Sequence, residues 1–549
     1  MSSLPWLTTI GVIPLIGALI LLALPKESTE LAKKIALGVS LLPLLLVIGM
    51  ALNFDANSES EFQFVQSYEW IPTFGISFSV GVDGISLILI ALSVILVPLV
   101  ILAGWNDADD AMGSVKGYFA LLLILETFMI GVFAATDVFL FYVFFEAMLI
   151  PVYFLIGRYG GPGRQYAAVK FLLYSLVGGL LMLAALIGLY VVSAQELGTG
   201  TFDFTTLTNL NIDPGTQKLL FLGFFIAFAI KAPLVPFHTW LPDAASASTP
   251  GTAVLLVGVL DKVGTFGMIK LCLPIFPAAS EFYAPAIIVL CVVGIIYGAL
   301  LAIGQTDLKR LIAYTSISHF GFIGLGIFAM TTQAQSGSTF YMLNHGFSTG
   351  ALFLIAGFLM TRRGSRLIAD FGGVYRVAPV LAGLFLIAGL SSLSLPGMSS
   401  FISEFLVLVG TFEKYTVAAV IATFGIVFAA LYILLMYQRT MTGPLKDGCE
   451  KITDVKGREA LAIIPMLVLI VALGVYPKPV LDVVNPAVER IMIQTGQRDP
   501  EPTVKPLGET QATERVQEAV AAIEGGARCT ACWLQALHLN SHYRPSSTA

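Results

Sequence analysis

Unbroken apolar runs, each about 20 residues or longer, recur along most of the chain and are separated by short polar connections. A helix of that length crosses a hydrocarbon core roughly 30 Å thick. The apolar positions are contiguous rather than alternating, which excludes a transmembrane barrel and leaves helices, whose backbone groups pair internally. The pattern predicts an all-α polytopic membrane helical bundle of fourteen spans. They fall at 4–24, 32–53, 79–104, 117–135, 138–157, 166–193, 218–247, 250–271, 283–303, 308–330, 338–360, 377–408, 415–437 and 459–477. The seventh and twelfth are too long for one crossing and are interrupted, at Lys231-Ala-Pro-Leu-Val-Pro-Phe-His238 and at Ser394-Leu-Pro-Gly397. Such breaks free backbone groups, which only a protein-lined or wet interior tolerates.

The first run, from Pro5 to Leu24, lacks a basic flank and a small-residue cleavage site and reads as a span rather than a signal peptide. Lys and Arg in the connections set the orientation. Seventeen lie at odd-numbered connections, among them Lys26, Lys116, Arg158, Arg310, Arg362 and Arg439, and three at even-numbered ones, Lys218, Lys270 and Lys414. The odd connections are therefore expected in the cytoplasm, in a bacterial plasma membrane, with both termini outside. The acid-rich segment 54–78, which has no Lys or Arg, falls on the outer face as this requires. The expected organisation is 1–110, three spans and an outer loop; 111–275 and 276–440, two five-span units; 441–480, the last span; and 481–549, a polar tail, disordered or peripheral.

Composition sharpens the picture. The 549 residues are 57% hydrophobic and 12% charged, about half the charged fraction of a soluble domain. A net charge of -5, thinly spread, implies no nucleic-acid partner. Cys272 and Cys291 act as small hydrophobes in or beside spans. The lone Cys529-x-x-Cys532 in the tail has no second ligand pair and carries no metal or redox assignment. There is no Walker lysine loop, dinucleotide-binding glycine pattern or cysteine cluster for iron–sulfur.

Ionisable residues inside the spans are few: Glu126, Glu146, Lys170, Lys231, His238, Lys262, His319, His345 and Glu404. Each costs at least roughly 2.5–3.5 kcal/mol at a helix centre, so each is a functional candidate. Glu146 and Lys231 could be a static ion pair between helices. As a coupled pair, each would instead hold the other charged, so that moving one changes the other's proton affinity. Lys170, near a span end, could simply snorkel. His319 and His345 could be packing residues, or could relay protons near neutral pH.

The two interrupted spans occupy corresponding positions, each fourth in a set of five, and the sets start on opposite sides of the membrane. That is the mark of inverted repeats. The chain also carries Gly81-Val-Asp-Gly-Ile-Ser86, Phe145-Glu-Ala-Met-Leu-Ile-Pro151, Lys231-Ala-Pro-Leu-Val-Pro-Phe-His-Thr-Trp-Leu-Pro-Asp243, Ala313-Tyr-Thr-Ser-Ile-Ser-His-Phe-Gly321 and Asn344-His-Gly-Phe-Ser-Thr-Gly350. Over residues 80–480 it resembles the antiporter-like membrane subunits of proton-pumping NADH:quinone oxidoreductase (respiratory complex I), which are similar to subunits of Mrp-type cation/proton antiporters. Glu404, where two of the three large paralogues have lysine, and the lack of a long lateral helix make the resemblance greatest to the chain M or subunit 4 type.

The resemblance implies a path in which Glu146 and Lys231 form the coupled pair of the cytoplasmic half. Lys262 then takes the proton at the centre, His319 and His345 line the polar axis, and Glu404 delivers to the outside. It further implies no cofactor in this chain, with flavin, iron–sulfur clusters and quinone in partner subunits, and two paralogous membrane subunits among the partners. An antiporter or hydrogenase-linked subunit and a purely structural scaffold are the rival classes. Glu404 weighs against the antiporter, whose equivalent subunit resembles the lysine-bearing paralogues.

Overall fold

The computed structural model describes residues 5–109 and 113–501, and residues up to Asp499 form one compact unit. Among the described residues, twelve helices are long and apolar enough to cross a membrane. They are Trp6–Ala23, Thr29–Leu52, Gly84–Ala103, Val115–Ala134, Val138–Tyr159, Arg164–Leu197, Pro250–Ile275, Pro277–Ile303, Leu308–Ala329, Thr332–Arg363, Thr416–Met441 and Arg458–Val475. The two segments expected to be interrupted are so. Pro214–Lys231 is followed after a non-helical stretch by Leu241–Ala247, and Pro379–Ser392 by Ser399–Lys414.

Local chemistry accounts for the breaks. Pro233 and Pro236 bring no N–H to the first; the Leu234 amide takes the Ala229 carbonyl at 2.9 Å, and the Ile230 carbonyl accepts from the indole Nε1 of Trp240 at 2.8 Å. In the second, Ser394 (φ +61°) and Gly397 (φ +93°) adopt left-handed backbone around Pro396. Trp240 is fully buried, so this substitute bond is shielded from competing solvent.

Burial sorts the helices into an axis and a rim. The most apolar stretches of Pro250–Ile275 and Thr332–Arg363 are wholly buried, and that of Leu308–Ala329 nearly so. Trp6–Ala23, Thr29–Leu52, Thr416–Met441 and Arg458–Val475 bury only about a third of theirs and turn apolar side chains outward. Polar side chains concentrate in the axis: Thr315, Ser316, Ser318, Ser338, Thr339, Asn344, Ser348 and Thr349 are all buried. Buried polar groups need partners, so this is where a polar route can exist at least cost.

Several boundaries differ from the hydropathy reading, including the start of span nine, at Pro277 rather than 283, and the end of span twelve, at Lys414 rather than 408; three differences are instructive. Residues 79–82 are not the start of span three: Ile76–Val82 is a strand paired antiparallel with Gln63–Ile71, with Tyr68 opposite Phe78, so the acid-rich segment contains a β-hairpin. The span begins at Gly84, where Asp83 caps it by accepting from the Ser86 amide at 2.7 Å. Span eleven starts at Thr332 rather than 338, because from Ala334 on its polar first turns, with Gln335 and Ser336, are buried against protein and not lipid. Finally, the segment expected to be a polar tail from 481 is helical at its start. Lys478–Gln494 is amphipathic and packs on Gly84–Ala103 and Thr332–Arg363 through Val484, Val488 and Ile491. The rest of the tail beyond 501, including Cys529 and Cys532, lies outside the described residues.

Candidate functional site

Span seven ends its first half on Lys231, which is buried with no hydrogen-bond partner on Nζ. Its ammonium lies over the Phe145 ring at 4.7 Å and the Phe171 ring at 5.8 Å. Glu146 follows Phe145 at the end of the first helical stretch of span five, and its Oε1 is buried and unpartnered. A Cβ on Gly179 would stand 1.8 Å from that Oε1, so the carboxylate fills space that glycine leaves open. Among the described residues no acid lies within 4.0 Å of Lys231 Nζ. Glu146 and Lys231 are thus electrostatic neighbours that do not touch.

Span eight places Lys262 by an irregularity. Leu256–Leu260 is a π-helical turn, which offsets the backbone pairing. Lys262 Nζ donates to the Val257 carbonyl at 2.5 Å and lies 2.6 Å from His345 Nδ1. The Phe320 ring stands 5.2 Å from the ammonium. His345 then faces His319 edge-on, with ring centroids 5.3 Å apart, and its Nε2 has no partner. His319 Nε2 lies 3.3 Å from the Tyr432 hydroxyl, and its ring is 5.8 Å from that of Tyr341. The Tyr341 hydroxyl donates to Glu404 Oε1, while Glu404 Oε2 is buried and free. Glu404 sits one turn into the second half of span twelve, beside Ser403, which accepts from Asn344 Nδ2 at 2.8 Å.

The candidates therefore divide. Lys262, His345, His319 and Glu404 form one series of neighbouring groups through Tyr341, and Glu146 and Lys231 form a separate pair. Lys170 belongs to neither, since it bonds Asp243 at 2.7 Å, whose other oxygen takes Arg310 at 2.6 Å. His238 packs against Tyr297, with ring centroids 5.2 Å apart. Glu126 is fully buried with both oxygens unpartnered. On the face carrying the basic connections, burial pushes the Asp107 carboxyl up to about 6, against the pull of nearby Lys309.

Sequence reading missed Asp261, fully buried beside Lys262 with both oxygens unpartnered. The rule that found the other candidates applies to it, since it interrupts Leu-Val-Gly-Val-Leu. Tyr341, Tyr432 and Asn344 gave no such signal, being ordinary residues in a span. No group of three His, Cys, Asp or Glu side chains among the described residues could hold a metal ion.

Comparison with known proteins bears on what this arrangement serves. Residues 135–429 match the family described as NADH:quinone oxidoreductase/Mrp antiporter, TM, and residues 12–132 match NADH-ubiquinone oxidoreductase chain 4, amino terminus. NADH-quinone oxidoreductase subunit M of Mycobacterium tuberculosis is 53% identical over 537 residues, covering 92% of this chain and 97% of that one. A chain of respiratory complex I from Thermus thermophilus with bound NADH superimposes with TM-score 0.81 at 31% identity, over 89% of this chain and all of that one. The Mrp complex from a Dietzia species shares the fold, with TM-score 0.78 at 21% identity over 89% of this chain and 97% of its own. The chain belongs to the antiporter-like, proton-pumping membrane subunits of NADH:quinone oxidoreductase, in the subunit M and chain 4 branch of that family.

Proposed function

We propose that protons cross this subunit from cytoplasm to outside along Glu146, Lys231, Lys262, His345, His319 and Glu404, driven by quinone reduction elsewhere in the complex. The observation that carries this reading is the 2.6 Å approach of Lys262 Nζ to His345 Nδ1 in the wholly buried axis. A lysine bonded to an imidazole can hand over a proton without separating charge, because one cationic site replaces another. His319 and the tyrosines Tyr341 and Tyr432 extend the donor and acceptor series to Glu404. The steps between groups not in contact, such as Glu146 to Lys231, run through internal water.

In this reading the twelve continuous helices and the two interrupted ones make fourteen crossings. Spans four to eight and nine to thirteen are inverted repeats, with the acid-and-break arrangement used once for entry and once for exit. The basic connections face the cytoplasm, which sets both termini outside, in the plasma membrane of a bacterium. Two paralogous antiporter-like subunits are partners, and flavin, iron–sulfur clusters and quinone belong to other chains.

Lys262→Met in the assembled complex is the direct test, since it removes the central base with little change in bulk. Acidification of inverted membrane vesicles under NADH should fall about tenfold or more, within the range that positioned acid–base groups supply. Wild-type acidification, with the artificial-acceptor NADH oxidation rate showing normal assembly, would remove Lys262 from the pathway.

A further inference from the structure

Between the Lys231 pair and the Lys262 series stands one more carboxylate. Asp261 is fully buried, and neither oxygen has a hydrogen-bond partner or an ion pair within 4.0 Å among the described residues. An ionised or neutral carboxyl left in this way is expensive, so its retention calls for an account.

Its placement follows from helix geometry. Three residues on, Gly264 lies where helix backbones touch: a Cβ there would fall 2.4 Å from the Phe228 carbonyl and 2.6 Å from the Ala232 amide. Residues three apart share a helix face, so Asp261 looks toward the break that begins at Lys231. The next residue is rotated by about 100° around a helix of 3.6 residues per turn. Lys262 accordingly reaches the other way, to the Val257 carbonyl and His345. The dipeptide presents an acid to the first half of the molecule and a base to the second. Asp261 lies near enough to both Lys262 and Lys231, and Lys231 to both Glu146 and Asp261, for a charge on one to act on the other, with no ion pair closed within 4.0 Å among the described residues. Glu126, on the Val115–Ala134 helix that also packs here, has no hydrogen-bond partner.

We propose that Asp261 is a positioning residue that links the two halves, a counter-charge shared by Lys231 and Lys262 that stabilises the proton in transit between them. Lys231 has acids on two sides, Glu146 and Asp261. Pairing with Glu146 holds the proton on the entry side, and pairing with Asp261 brings it to the centre. Lys262 receives it through water as Lys231 becomes neutral, and passes it to His345. One proton moves from amine to amine, and Asp261 acts in its ionised form while the cation passes.

This inference rests on the pathway proposed above, and its test separates the two. The probe is vesicle acidification by the full complex carrying Asp261→Asn, Asp261→Glu or Lys262→Met, each rate divided by the artificial-acceptor NADH oxidation rate so that assembly cancels. Asn keeps shape and polarity but no charge, whereas Glu keeps the charge and changes the shape. A shared counter-charge predicts about a tenfold loss with Asn and recovery to at least about half of the wild-type rate with Glu. Equal rates for Asn and wild type, or equal losses for Asn and Glu, would overturn it, the latter showing a packing role. Normal pumping by Lys262→Met would instead overturn the underlying pathway.

Discussion

Lys231 is a buried cation with aromatic faces for company and acids near it but out of reach. A static ion pair would close that gap, because a buried pair is worth having only with good contact geometry. In the proposed pathway the separation leaves Lys231 free to exchange its proton, and Glu146 lies in the space that Gly179 leaves open. Two substitutions distinguish the roles. Glu146→Gln keeps the shape but removes the counter-charge, and should lower pumping and quinone reduction together by about tenfold with assembly intact. Lys231→Arg keeps a charge that cannot be released at physiological pH, its pKa exceeding roughly 12, so a static pair would tolerate it and a cycling one would not. Normal turnover in both variants would make the pair structural. At this scale the sequence was informative where a charge broke an apolar run, as at Glu146, Lys231, Lys262 and Glu404. It was silent for Tyr341, whose residue type is unexceptional in a span, and it gave Asn344 only as part of a motif; what they touch gives them their places.

The interrupted helices show how an element makes room for such residues. The Leu234 amide bonds the Ala229 carbonyl, which Pro233 cannot serve, and Trp240 supplies the donor that the Ile230 carbonyl, next to Lys231, thereby loses. Trp240→Phe should leave that carbonyl unsatisfied, costing about 1–3 kcal/mol. The expected outcome is a lower melting temperature of the purified complex, together with slower pumping. An unchanged melting temperature would mean that the break is held by other contacts. Both breaks could be read from proline and glycine in overlong apolar runs. The starts of spans three and eleven could not, for opposite reasons. Residues 79–82 are apolar enough to pass for a span but pair with the neighbouring strand of a hairpin, Gln63–Ile71. Residues 332–337 are polar enough to pass for a loop, but from Ala334 on they are buried among neighbouring helices. Hydropathy assumes lipid as the surroundings, and the assumption fails wherever protein takes its place. The Lys478–Gln494 helix escaped for the same reason, since its apolar face meets other helices.

Across the whole molecule, polar residues gather in the three most buried helices while the rim helices turn apolar side chains outward. That is an inside-out distribution relative to a soluble protein, and it places a polar route in a bilayer without exposing it to lipid. In the proposed route protons leave through Glu404, in the second half. The decisive measurement is acidification of inverted vesicles under NADH by wild type, Glu404→Asp and Glu404→Ala, each normalised to artificial-acceptor NADH oxidation. Asp retains a titratable carboxylate on a shorter stem, so a water-bridged relay through Tyr341 should keep part of the rate. Ala removes the proton site and should lower acidification about tenfold or more below wild type. Equal acidification by all three would contradict the account, because protons would then leave by a route that does not include Glu404.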